Sequence, residues 1–408
     1  MARRPKVKTT RHFLTLPLEI REQVYSEILV SMPRTLLQLL RSNRQISKEA
    51  QPFLYKQPIV FDGQAELFGW LKKVDRNLLR HVTTIKFKLH DIDAKGIVGA
   101  LGERLRRVKV SPGSPGVGSN PYDMACDQQV KQIGEAFSLF PNVKDLTVLE
   151  CKQSDPHPSF HMLVAFSQEL GRRFPSLQTL SIQDDLLPTT FISKFRHLRT
   201  LRLTGFSTTG PAETEATLSV LPYLTSLSIT SPSAGLTFQQ RPGYTGPVRV
   251  QCITPTVLRS LRNLKYLSIY DALDSTASKP QPIFITPDLF ASLSSLPLTT
   301  LRLATNHPMV PAQILQALWG FLASPSCPLL FLDLALPLVV VPSHKDMMEE
   351  ELDELDEDDV GLKQVRICRP ESTFHKEKGL RGWVEGALGE LGVRVEWGVW
   401  SDWFEGDC

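Results

Sequence analysis

From residue 80 onward the chain repeats one short arrangement: an apolar residue, two others, an apolar residue, one other, and an apolar residue. It occurs nine times, at Val82/Ile85/Phe87, Val143/Leu146/Val148, Leu177/Leu180/Ile182, Leu198/Leu201/Leu203, Leu224/Leu227/Ile229, Leu264/Leu267/Ile269, Leu298/Leu301/Leu303, Leu329/Leu332/Leu334 and Leu362/Val365/Ile367. The alternation that ends each unit predicts a half-buried strand. Helix-like runs such as "QVKQIGEAFSLF", "SFHMLVAFSQELGRRF" and "PAQILQALWGFLA" precede most of them. In five units a proline (Pro141, Pro175, Pro222, Pro297, Pro328) stands just before the first apolar position, ending the helix and admitting extended chain. The predicted unit is therefore helix, stop, short strand.

The start of the chain has a different period. In "LPLEIREQVYSEIL", Leu16, Ile20, Val24 and Ile28 recur every fourth residue and Tyr25 and Leu29 widen the stripe, while Glu19, Arg21, Glu22 and Glu27 fall mostly outside it. Pro17 suits a first turn, and Glu19 and Glu22 suit the positive end of the helix dipole. Leu36, Leu37, Leu39, Leu40, Ile46, Ala50, Phe53 and Leu54 continue helical spacing, so two or three short helices can bury one another.

Residues 16–61 resemble an F-box in the form common among fungal proteins, on the strength of Leu16-Pro17, Glu19-Ile20-Arg21, Val24-Tyr25, Arg44-Gln45-Ile46, Glu49-Ala50, Pro52 and Leu54-Tyr55. The resemblance implies a helical docking module for the adaptor subunit of a cullin-type ubiquitin ligase, with Leu16, Pro17, Ile20, Val24, Leu29, Leu36 and Leu39 as docking residues. Where many F-boxes carry a Val-Cys-x-x-Trp run, this chain has Ser42-Asn43-Arg44-Gln45-Ile46. The competing reading is that the helices only cap the domain that follows.

That domain, over roughly residues 80–370, resembles an irregular leucine-rich-repeat solenoid, an α/β architecture with a curved parallel sheet inside and helices outside. Successive units start 61, 34, 21, 26, 40, 34, 31 and 33 residues apart, against roughly 20–29 in regular arrays. The expected organisation is a basic tail at 1–11, the F-box-like module at 12–61, the repeat domain at 62–375, and a Trp-rich cap at 376–408. Loops are expected at 108–128, 230–250 and 342–361. Trp383, Trp397, Trp400 and Trp403 are read as packing of the terminal cap, with a ligand cage as the alternative.

In each predicted strand, the residue between the last two apolar positions points away from the core. These residues are Lys86, Thr147, Ser181, Arg202, Ser228, Ser268, Arg302, Asp333 and Arg366, and the next outward positions add Lys88 and Tyr270. Lys86, Lys88, Arg202, Ser228, Ser268, Tyr270, Arg302 and Arg366 are thus candidate residues for holding a protein substrate on a mildly basic concave strip, one suited to carboxylates or phosphates. The alternative is an ordinary solvated strand face. Nucleic acid fits less well, since the charges are dispersed with little aromatic interleaving.

Composition narrows the class. With 42% hydrophobic and 22% charged residues the sequence is that of an ordinary folded protein, and no apolar run suggests a membrane span or a secretory signal. Cytoplasm or nucleus is the expected location. The six cysteines are scattered with no Cys-x-x-Cys, which predicts free thiols and no structural zinc. The net charge of +3 hides "EEELDELDEDD" at 349–359, with nine carboxylates in eleven residues. It reads as a solvated loop, or else as an acidic flap or bait for a basic surface. The chain has no G-x-S-x-G, no P-loop and no dinucleotide fingerprint. His157 and His161 flank Pro158 without the glutamate of a metalloprotease motif, and Asp184-Asp185 and Asp358-Asp359 read as solvated pairs. No enzyme activity and no cofactor are expected.

Overall fold

The computed structural model describes residues 13–91, 121–150, 159–231, 248–272, 283–307, 310–322, 324, 327–335, 362–369, 385–386, 388–389 and 392–399. After a single 3-10 turn, Phe13–Thr15, three helices follow in close succession: α1 Leu18–Ser31, α2 Pro33–Ser42 and α3 Arg44–Leu54. Pro17 lies one residue ahead of α1 rather than inside it. Pro33 begins α2, where its missing N–H costs nothing, and the Asn43 side chain caps α3 by accepting from the Gln45 N–H at 2.7 Å.

The remainder is an α/β body built on an 11-stranded parallel sheet. Its strands are β1 Ile59–Phe61, β2 Thr84–Lys88, β3 Asp145–Leu149, β4 Thr179–Ile182, β5 Thr200–Leu203, β7 Ser226–Thr230, β9 Tyr266–Asp271, β10 Thr300–Thr305, β11 Phe331–Ala335, β12 Gln364–Arg369 and β13 Arg394–Val399. They lie in the order in which they occur in the chain. A separate antiparallel pair is formed by β6 Phe206–Ser207 and β8 Val250–Gln251. All nine predicted strands are in the sheet. The other two stand at its ends: β13 lies in the Trp-rich terminal segment, and β1 takes residues 59–61 out of the predicted N-terminal module.

The connections carry α4 Gln64–Leu71, α5 Arg76–Leu79, α6 Pro121–Phe137, α7 Phe160–Arg173, a 3-10 turn Thr189–Lys194, α8 Pro211–Ser219, α9 Pro255–Arg259, α10 Pro287–Leu293 and α11 Ala312–Leu322. From α6 to α11 each of these packs against the next. Helix α6 occupies part of the loop expected at 108–128; residues 108–120, most of 230–250, and all of 342–361 lie outside the described residues. So do the basic tail, the acidic run, His157, Asp358, Asp359, Trp383, Trp400 and Trp403.

Burial follows the strand alternation. In β3, β4, β5 and β7 every second residue is buried and those between are half-buried or, at Thr230, exposed. The buried set joins the helices in one apolar cluster, in which Phe87, Phe137 and Phe166 pack ring to ring. Trp397 of β13 also packs, half-buried, against it. Gly205, between β5 and β6, has φ +75°, and a Cβ there would lie 2.3 Å from the Phe284 ring, so the turn needs glycine. Tyr25, Leu29, Ile46 and Ala50 form a second cluster, confined to the first three helices and the turn before them. The N-terminal unit therefore has its own small core.

Candidate functional site

Two surfaces follow from this arrangement. In α1, Arg21, Tyr25 and Leu29 recur every fourth residue and are the buried face. Arg21, expected outside the apolar stripe, is instead at the centre. Its Nε and Nη2 donate to Glu49 Oε2 and Oε1 at 2.8 and 2.7 Å, and its Nη1 donates to the carbonyls of Leu14 and Leu16. Tyr25 Oη donates to Glu49 Oε2 at 3.0 Å, and Gln45 Nε2 donates to Oε1 at 2.9 Å. A planar guanidinium matches a carboxylate bidentately, which Lys could not do. The pair ties α1 to α3 and to the turn ahead of α1. Arg21 and Glu49 both stood in the F-box-like match, which was the available signal.

Hydrogen bonding from Arg21 brings the Glu49 carboxyl down from 4.5 to about 2. Burial, with the bond to Glu49, pushes the Tyr25 hydroxyl up to about 12. A carboxyl lowered in the folded state adds stability that is complete above its unfolded value and is lost as the pH falls toward its folded one. The module is therefore expected to loosen between about pH 4.5 and 2, seen as loss of the dispersed Tyr25 ring resonances. Glu49→Gln should flatten that acid limb, and an unchanged acid profile in this variant would contradict the assignment.

With Arg21, Tyr25 and Leu29 turned inward, other positions of α1 face out. Pro17 and Ile20 are exposed, and Leu16 and Val24 are half-buried. Pro17, Ile20 and Val24 are three and four residues apart, so they share one flank of the helix. Leu29, predicted as a docking residue, belongs to the module core, and Leu39 packs partly against it. The side chain of Leu36 lies outside the described residues. Leu18, Val30 and Met32 are exposed as well.

The second surface is the sheet face away from the helices. Its predicted outward residues are in register from strand to strand, Lys86 with Thr147, then Ser181, Arg202, Ser228, Ser268, Arg302, Asp333 and Arg366, and Glu396 of β13 extends the row. The row is continuous, but several of the cations expected on this mildly basic strip are engaged within the sheet. Lys88 is buried in an ion pair with Asp62 at 2.7 Å. Arg302 is 6% exposed; its Nε donates to Asp333 Oδ2 at 3.0 Å and its Nη1 to Tyr266 Oη at 3.2 Å. Arg366 Nη2 donates to the same Asp333 oxygen, and Glu396, paired across from Arg366, bonds Arg394 at 2.9 Å. Opposite charges thus alternate across β10 to β13, and Arg302 and Arg366 serve the sheet. Ser268 is buried, and Tyr270 packs half-buried on a small cluster of Ala304, Ala335 and Cys368. Lys86, Arg202 and Ser228 remain half-buried on this face.

Asp185, expected to be solvated, is buried and paired with Arg249 at 2.9 Å, and burial pushes its carboxyl up to about 7. His161 pairs with Asp127 at the surface. Among the described residues, Cys126, Cys252, Cys327 and Cys368 are in no disulfide, no group of three or more His, Cys, Asp or Glu side chains could hold a metal, and no helix is long and apolar enough to cross a membrane. Compared with known proteins, the chain matches no family model and no curated protein.

Proposed function

We propose that the chain is a non-catalytic substrate receptor of a cullin-type ubiquitin ligase: the N-terminal helices are an F-box-type module that docks the adaptor subunit, and the sheet body is an irregular leucine-rich-repeat solenoid that holds the protein target, in the cytoplasm or nucleus. The observation that carries this reading is a three-helix unit with a core of its own that leaves Pro17, Ile20 and Val24 on one outward flank, with Leu16 half-buried just ahead of the helix. Helices serving only as a cap would instead merge their core with that of the sheet. A parallel sheet is ordinarily covered on both faces. Strands β3, β4, β5 and β7 here keep one face half-exposed, as a binding surface requires.

The test is capture of the purified adaptor subunit by the full-length chain, beside Ile20→Asp. Ile20 is 43% exposed, so the substitution should leave the folded content and Tm unchanged. Placing a carboxylate in a desolvated contact should weaken capture at least about tenfold. Equal capture by Ile20→Asp, or none by folded wild type, overturns the docking reading and leaves a repeat scaffold engaged with no ligase.

A further inference from the structure

The edge of the sheet where the strands begin carries a feature outside both surfaces above. From Thr83 to Lys363 the residue immediately ahead of each strand donates its backbone N–H to the carbonyl of its counterpart in the preceding unit, at 2.8–3.0 Å throughout. In most units the next N–H reaches that same carbonyl, for example Asp145 and Lys144 both to Thr83. This ladder is a rigid series of rungs, spaced like the strands at about 4.8 Å.

Side chains on the rungs form a pattern. Lys144, Arg199 and Lys265 stand on alternate rungs, with Gln178 and Thr225 between them, and Lys363 stands three rungs further on. All four cations are exposed, and among the described residues none has an ion-pair partner. Between Arg199 and Lys265 lies a groove of about 530 Å³ walled by Tyr223 and Asn263. Tyr223 is 53% exposed, and its ring stacks on His197 of the neighbouring unit at 6.2 Å and 8°. The groove thus offers a flat aromatic wall with a cation at either end.

The geometry points to this edge as a docking site for an extended anionic peptide segment of a partner protein, laid across the rungs with carboxylate or phosphate groups at every third residue. Two rungs span about 10 Å, and three residues of extended chain, at about 3.3 Å each, span the same distance. Anions at that interval meet Lys144, Arg199 and Lys265 in turn, and a side chain between the second and third can lie on Tyr223. Nucleic acid matches poorly, because a duplex carries about one charge per 1.7 Å of axis against one cation per ~10 Å here. The site adds a target chemistry to the receptor reading without depending on adaptor docking.

The test is fluorescence anisotropy of the full-length chain with labelled ten-residue peptides, carrying three glutamates or three phosphoserines at every third position, beside peptides of the same composition with the three grouped together. Either spaced peptide should bind at least about tenfold tighter than its grouped counterpart, with affinity falling as salt rises. Arg199→Glu combined with Lys265→Glu should remove at least about tenfold of that affinity with Tm unchanged. The milder Arg199→Gln with Lys265→Gln gives the same readout should the reversal disturb folding. Equal binding of spaced and grouped peptides, affinity indifferent to both double variants, or tighter binding of a single-stranded oligonucleotide would overturn the assignment. Adaptor capture should be unaffected by these variants, so the two proposals stand or fall separately.

Discussion

Tyr25→Ala is expected to unfold the N-terminal module while the sheet body stays intact. The Tyr25 ring is fully buried, set edge-on to Phe13 at 5.7 Å and to Phe53 at 6.1 Å, and its hydroxyl bonds Glu49. Truncating a buried aromatic of this size costs about 3–5 kcal/mol, and a three-helix unit this small rarely has more than about that to lose. The body has a separate core to which Tyr25 contributes nothing. Limited proteolysis checks this: cleavage should appear throughout α1 to α3 while a fragment beginning near Tyr55 persists. Tyr25→Phe, which keeps the ring and loses only the hydroxyl bond, should cost about 1 kcal/mol and leave the module resistant. Wild-type resistance in Tyr25→Ala would mean that the Arg21–Glu49 pair alone holds the helices. Under the receptor reading, adaptor capture is lost with the fold.

Asp333→Ala is expected to destabilise the body by about 3–5 kcal/mol, because it removes the carboxylate shared by two guanidiniums. The effect falls unequally on them. The Arg366 side chain is 35% exposed and can turn toward water, whereas that of Arg302 is 8% exposed and is held between strands, with Tyr266 a weaker acceptor than a carboxylate. The double substitution Arg302→Met with Asp333→Leu should recover most of the loss, since a buried pair replaced by apolar side chains of similar size is often close to neutral. Chemical denaturation of the two variants measures both. A loss below about 1 kcal/mol for Asp333→Ala would show that Arg302 does not depend on Asp333, since exposed pairs are worth no more than that.

Much of the body was legible because its two requirements are local. A strand half-covered by helices needs alternation, and a helix that must stop before it needs a breaker; Leu177, Leu180 and Ile182 after Pro175 show both within eight residues. The terminal strand β1 escaped because "IVF" is too short to carry the six-position pattern. The outward row was legible for the same reason as the inward one, since alternation fixes both faces at once. Which members of that row are available to a partner was not legible. Arg302 and Arg366 look like free cations until Asp333 is set between them by the register, and Lys88 until Asp62 approaches from the turn after β1.

The N-terminal helices show the same division. Helical spacing located the segment, and apolar residues every fourth position named one face; burial chose the neighbouring one, around Arg21, Tyr25 and Leu29, where a bidentate partner 28 residues away satisfies an arginine that burial would otherwise leave unpaired. Periodicity, breakers and the recurring apolar positions were therefore determined by the sequence alone, each being a constraint between residues a few positions apart. The pairing of Arg21 with Glu49, the charge alternation from Arg302 to Glu396, and the spacing of Lys144, Arg199 and Lys265 along one edge were decided only by the tertiary structure. Each is a distance between residues far apart in the chain, set by strand register and helix packing rather than by any local pattern.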